Sequence, residues 1–316
     1  MIRDAGNRLA KTTDALHEVF ADHMVDDGFR RALAFAPAAD DVFIACYLKC
    51  GTTWTQAIAH GLRTGGDMNF TNLEFVIPFM ERAHGLGVPL DAPQVARPRL
   101  FKTHLEYGRA PRGARYVVTL RDAADALVSL YNFFGDTFFD PTAISLDAFA
   151  RDFFCRPNGA YVRYWEHVAS WLTAPQGTPR LFLCFEDMVA DLPGAVRHVQ
   201  RYLGLDVDDD TFAHVVHQSS FSFMKAHGDR FATIAYKGEP ENMTTVRFDI
   251  VRRGRVGDHA AVLSPEIRAE LDDLWSTVVA PATGFATYTD LRAALHGRVT
   301  AGTGSSAAPK TGAGAE

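Results

Sequence analysis

VFIACYLKCGTTWTQAIAHGL, residues 42–62, is the stretch whose reading decides the fold. Its first seven residues form an apolar run too short for most helices and rich in β-branched and aromatic side chains, which predicts a strand. From Trp54 the apolar residues return at helical spacing, at Ala57, Ile58 and Leu62, and Gly65-Gly66 closes the pattern. The turn between them is Lys49-Cys50-Gly51-Thr52-Thr53. Backbone N–H groups at a helix N-terminus point at an anion and the helix dipole favours negative charge, so a strand, turn and helix in this order suit phosphate. Thr52 and Thr53 add hydroxyl donors, and Lys49 adds a positive charge. The nucleotide-triphosphatase loop GxxxxGKS/T is absent, because the lysine precedes the glycine and no GKS/T follows. An ordinary turn with an N-capping threonine has the same residues, so the loop alone leaves both readings open.

Working outward, RLFKTHL (99–105), YVVTLR (116–121) and RLFLCFE (180–186) are further short apolar runs bounded by turn signals. Helical periods separate them. Ala123, Leu127, Leu130, Tyr131 and Phe134 follow Asp122, and Tyr161, Tyr164, Trp165, Val168 and Trp171 form a second set. A third run starts at Pro193, and a fourth at Ser264-Pro265 aligns Ile267, Leu271, Leu274, Trp275 and Val278. Alternating strands and helices predict an α/β fold: a single domain with a central, mostly parallel sheet flanked by helices and a P-loop-like phosphate-binding loop. The expected boundaries are a helical lead-in over 1–30, the domain over 31–298 and a disordered tail over 299–316. Residues 222–250, aperiodic and punctuated by Gly228, Gly238 and Pro240, read as a long loop.

The bulk properties narrow the partners. The chain has 316 residues, 47% of them hydrophobic, enough for one large core. A net charge of −6 with scattered basic residues offers no surface for nucleic acid and favours a small-molecule acceptor. No run approaches the ~18 apolar residues that span a bilayer, and MIRDAGNRLAKTTD is not an apolar signal core, so a cytoplasmic protein without a membrane partner is expected. Cys46, Cys50, Cys155 and Cys184 show neither disulfide density nor CxxC spacing and are expected to be free thiols.

YLKCGTTW resembles the YPKSGTTW signature of the cytosolic sulfotransferase family, with Leu48 and Cys50 at its usual Pro and Ser positions. RDAADALVS is similar to that family's 3′-phosphate segment, and IVRRGRVGDH (250–259) to its RKGxxGDW segment, with His259 in place of Trp. KTH at 102–104 matches as well. The resemblance covers roughly residues 40–280 and points to a bacterial or distant branch. It implies 3′-phosphoadenosine 5′-phosphosulfate (PAPS) as donor, held by Lys49, Cys50, Gly51, Thr52, Thr53, Trp54, Arg121, Ser129, Ile250, Arg252, Arg253 and Gly254. Phe185, Ser219, Phe221 and Met224 fall on its adenine-binding segments.

Independently of the family, a strand's period of two puts Lys102 and His104 on one side near the strand's end, where ligands bind in open α/β sheets. The histidine of the family's KTH segment is its catalytic base, and sulfuryl transfer to a hydroxyl needs a base and a neutralised leaving group, so the resemblance implies His104 as base and Lys49 and Lys102 as stabilising cations. The resemblance gives Ser129 the part of restraining Lys49 until acceptor binds. No metal is implied, since His214 and His217 have no third ligand nearby. Within FVIPFMERAHGLGV (75–88), Phe79 is an expected wall of the acceptor pocket, with Phe133 and His104. The stretch used for dimer contact in animal members is not recognisable in AAVLSPEIRAEL, leaving monomer and homodimer open. Two rivals remain open on residues alone: a nucleotide-dependent phosphotransferase, and a non-catalytic nucleotide-binding protein on the same scaffold.

Overall fold

Val42, Phe43, Ile44 and Ala45 have no solvent exposure, which requires a central strand covered on both faces, and they form β1 (Val42–Ala45). The structure is a computed structural model and describes residues 9–24, 27–135, 137–237, 244–248 and 256–300. The helices α1 (Thr13–Met24) and α2 (Asp27–Leu33) precede β1, and α3 (Thr52–Thr64) and α4 (Leu73–Val76) follow it. Next come β2 (Leu100–Thr103), β3 (Arg115–Leu120), α5 (Ala123–Phe134), α6 (Leu146–Phe149), α7 (Tyr164–Leu172) and β4 (Arg180–Cys184). The four strands pair in parallel in the order β2-β1-β3-β4. The connection from β1 to β2 carries α3 and α4, and that from β3 to β4 carries α5, α6 and α7, whereas β2 passes to β3 through turns without a helix.

Register places Phe43 beside Phe101, and their rings stack at 5.0 Å on one face. At the other end Phe20 of α1 meets Phe134 of α5 at 5.4 Å and Phe153 at 5.5 Å, fastening the N-terminal helix to the core. After β4 the chain runs through α8 (Phe185–Ala190), α9 (Leu192–Leu203) and α10 (Asp209–Gln218). The helix opened by Ser264, whose hydroxyl accepts from the Ile267 N–H, is α13 (Pro265–Leu274); α14 (Ala280–Thr283) and α15 (Tyr288–Thr300) end the described chain.

Several boundaries differ from the sequence reading: β1 stops at Ala45 and α13 at Leu274, ahead of Trp275 and Val278. Residues 222–250 are not one long loop: they include α11 (Phe221–Ala226), α12 (Gly228–Phe231) and an antiparallel pair, β5 (Thr233–Lys237) with β6 (Thr244–Phe248). The Ser220 hydroxyl accepts from the Phe223 N–H and starts α11, while TIAYK and TTVRF carry enough β-branched and aromatic residues to pair. Tyr161 lies ahead of α7 instead of on it. The expected tail over 299–316 is outside the described residues from 301 onward, and 299 and 300 close α15. Among the described residues no helix is long and apolar enough to cross a membrane.

Candidate active site

The four parallel strands end side by side, and each delivers one feature of a single cleft edge. The Lys49 loop follows β1, His104 follows β2, Arg121 follows β3 and Phe185 follows β4. Open parallel sheets bind ligands at this carboxyl edge because the chain turns away there and leaves room between strand ends and helix N-termini.

The loop after β1 is built around two left-handed residues, Lys49 at φ 64° and Gly51 at φ 94°. Gly51 is required twice over. A Cβ there would sit 3.0 Å from Phe185 Cδ2 and 3.4 Å from Thr119 Cγ2, so those side chains would have to shift, and the positive φ itself strains any other residue. Gly51 offers α3 no side-chain cap, whereas Asp122 accepts from the Ala124 and Asp125 N–H groups at the start of α5. The first-turn amides of α3 thus remain available to an anion. The Thr52 hydroxyl is buried beside the Cys46 thiol, where its side-chain contact opposes the rise that burial gives the thiol pKa. Cys50 turns inward, its thiol directed at the Leu48 carbonyl 3.7 Å away, and burial pushes its pKa well up. Thr53 and Trp54 are half-buried; the Trp54 indole donates to the Ser219 carbonyl at 2.7 Å and meets the Phe185 ring edge-on at 5.5 Å.

Arg121 donates to the Lys49 carbonyl at 3.1 Å, lies 4.2 Å from the centre of the Phe185 ring and pairs with Asp125 at 3.9 Å. Asp125, one helical turn on and buried, accepts from the Gly257 N–H at 2.8 Å and from His259 Nδ1 at 2.8 Å. That carboxylate ties the end of the third motif to the first turn of α5. Ile250, Arg252, Arg253 and Gly254 lie outside the described residues. Ser129 is half-buried two turns into α5, and Phe133 of the same helix lies 3.9 Å under Lys49 Nζ.

His104 is 5% exposed, and its Nδ1 lies 2.7 Å from the Cys46 carbonyl. A carbonyl only accepts, so Nδ1 carries the proton and Nε2 keeps its lone pair. Burial first, then the Lys102 charge, hold the imidazole well below its usual pKa and therefore neutral. Phe79 and Tyr161 wall the ring at 5.0 and 5.9 Å, both edge-on. Lys102 is buried against Glu74 at 3.5 Å and lies 4.2 Å over Phe79. Burial lowers its pKa and Glu74 opposes the shift.

The structure thus gathers Lys49, Gly51, Thr52, Trp54, Arg121, Phe185 and Ser219 by direct contact, and His104, Lys102 and Phe79 in a second group. Met224 is buried on α11, while Phe221 is 38% exposed and faces solvent. Sequence reasoning passed over Glu81, Asp125 and Tyr161. Asp125 had a visible signal, standing four residues after Arg121 on one helix face, and Glu81 was an isolated acid inside an apolar run.

Comparison with known proteins places this geometry. Sulfotransferase 1B1 of Canis lupus familiaris is 28% identical over 239 residues, covering 71% of this chain and 78% of the relative. Human sulfotransferase 1C2 is 27% identical over 245 residues, covering 73% and 80%. Among solved structures, mouse sulfotransferase SULT7A1 complexed with PAP superposes with a TM-score of 0.64 at 20% identity, over 87% of this chain and 95% of that one, which shows a shared fold. The sequence profile described as "Sulfotransferase domain" matches residues 39–281, and with the four strand ends arranged as above, the chain belongs to the sulfotransferase domain family.

Proposed function

We propose that the protein transfers a sulfuryl group from PAPS to a hydroxyl, or an amine, of a small, largely apolar acceptor by in-line displacement. The observation that carries the reading is the start of α3, which no side chain caps, with Lys49 and Arg121 beside it. Two structures of a protein that shares the fold support it: retinol dehydratase in complex with androsterone and inactive cofactor PAP, and in complex with retinol and PAP. When bound, the donor supplies an activated sulfuryl group on a phosphate leaving group.

The chain's own residues then divide the work. Lys49, Gly51, Thr52, Thr53 and the adjoining amides hold the 5′-phosphosulfate, Arg121 and Ser129 the 3′-phosphate, and Trp54 with Phe185 the adenine. Arg252, Arg253 and the neighbouring Ile250 and Gly254 complete the 3′-phosphate site by resemblance. His104 Nε2 takes the acceptor's proton as the hydroxyl attacks. Lys49 donates a proton to the bridging oxygen as the sulfur–oxygen bond breaks, and Lys102 stabilises charge that builds in the transition state. An anion beside Lys49 offsets one of the cations that depress His104, which moves its pKa toward the range of an effective base. Phe79, Phe133 and Tyr161 form an apolar wall for the acceptor.

Calorimetric titration with 3′-phosphoadenosine 5′-phosphate, in the absence of magnesium and with ATP as competitor, tests the donor site. Tight binding to the first and little to ATP is expected; preference for ATP overturns the reading. Arg121→Ala should weaken that binding about 10- to 100-fold, the value of charge-assisted hydrogen bonds to phosphate. Affinity unchanged in Arg121→Ala would remove Arg121 from the 3′-phosphate site.

A further inference from the structure

Glu81 is buried at 2% exposure in the segment that pairs with β2, where the Met80 N–H donates to the Lys102 carbonyl at 2.9 Å. Its Oε1 accepts from the His104 N–H at 2.7 Å and from the Thr103 hydroxyl at 3.0 Å. Thr103 in turn accepts from the Leu105 N–H at 3.1 Å, so one carboxylate oxygen organises three consecutive residues around His104. A carboxylate without an arginine partner is costly to bury, and a backbone held only by its neighbours would not need one.

We propose that Glu81 is a positioning residue for His104, fixing through the His104 amide and Thr103 the backbone from which the imidazole reaches the Cys46 carbonyl. The inference rests on the reading of His104 as base. Without the Glu81 bonds the loop after β2 can rotate, Nδ1 loses its acceptor and Nε2 is no longer the only free ring nitrogen. Among the described residues Lys102 is the charged group that acts on the carboxylate, His104 bonds it through its amide, Arg82 and Arg109 act on the neighbouring Tyr161, and Glu74 and Arg82 act on Lys102. Burial first, then the Glu81 charge and its side-chain contact with the phenol, raise the Tyr161 pKa. Burial pushes the Glu81 carboxyl up to about 7, against its bonds to His104 and Thr103, so its charge changes near neutrality.

The spectroscopic test needs no acceptor. In 15N-labelled enzyme saturated with 3′-phosphoadenosine 5′-phosphate, the His104 ring signals, assigned by their loss in His104→Asn, should show the Nδ1–H tautomer. They should shift once between about pH 6 and 8 without protonation of the ring. In Glu81→Gln that shift disappears, and in Thr103→Val, which removes one bond and keeps the charge, it persists with a mixed tautomer. Transfer activity in Glu81→Gln should fall about 10- to 100-fold, with product affinity within about twofold of wild type. Ring spectra of Glu81→Gln that match the wild type across this range overturn the proposal. If Glu81→Gln does not fold, a pure Nδ1–H tautomer in Thr103→Val overturns it. The base reading fails separately, if His104→Asn keeps its turnover.

Discussion

His104→Ala should lower sulfuryl transfer by about 10²–10⁴-fold, the usual contribution of a positioned base, while leaving 3′-phosphoadenosine 5′-phosphate affinity within about twofold. The asymmetry follows from position. His104 leaves the end of β2, separated from Arg121 and the adenine wall by the intervening strand β1. His104→Asn sharpens the expectation, because its amide nitrogen can take the place of Nδ1 and keep the bond to the Cys46 carbonyl while no atom replaces Nε2. Asn and Ala should therefore be equally inactive. Transfer from PAPS to 4-nitrophenol and 2-naphthol, followed by product formation, measures the effect. Full turnover in either variant would remove His104 from the chemistry.

Acid should unfold the protein through histidines the reaction does not use. His60 and His167 are buried, and burial lowers their pKa values to about 4 and about 3. In the unfolded chain each binds a proton near pH 6.5, so below that pH the unfolded state gains protons and the fold loses stability. The loss runs down to each folded value and reaches about 3 kcal/mol per residue at pH 4. His104 acts in the same sense. Glu81 acts oppositely: its raised folded value favours the fold as pH drops from about 7 toward its ordinary value. Urea unfolding at pH 7, 5.5 and 4.5 separates them. His167→Leu should lose less stability on acidification than wild type, and Glu81→Gln should lose more. Parallel pH dependences in wild type and His167→Leu would contradict the assignment.

Much of this was legible along the chain. Short β-branched runs and 3.6-residue periods are local properties, so the strands, α3, α5 and the parallel sheet could be read from them. The phosphate loop was legible for the same reason, since its lysine, glycine and threonines are contiguous and the neighbouring helix start is set by Gly51. The pair β5 and β6 was obscured because Gly238 and Pro240 stand between two five-residue runs too short to outweigh them.

The sequence by itself determined which residues stand at strand ends and which loop joins the first strand to its helix, because those depend on neighbours a few positions away. Tertiary structure alone decided the tautomer of His104, the burial of Glu81 beneath it and the clamp of Asp125 on Gly257 and His259. These join residues 58, 23 and more than 130 positions apart. Apart from the His259 ring on Asp125, their partners are backbone carbonyls and amides, which no side-chain pattern marks. Only the stacking of β2, β1 and β3 brings them within bonding distance.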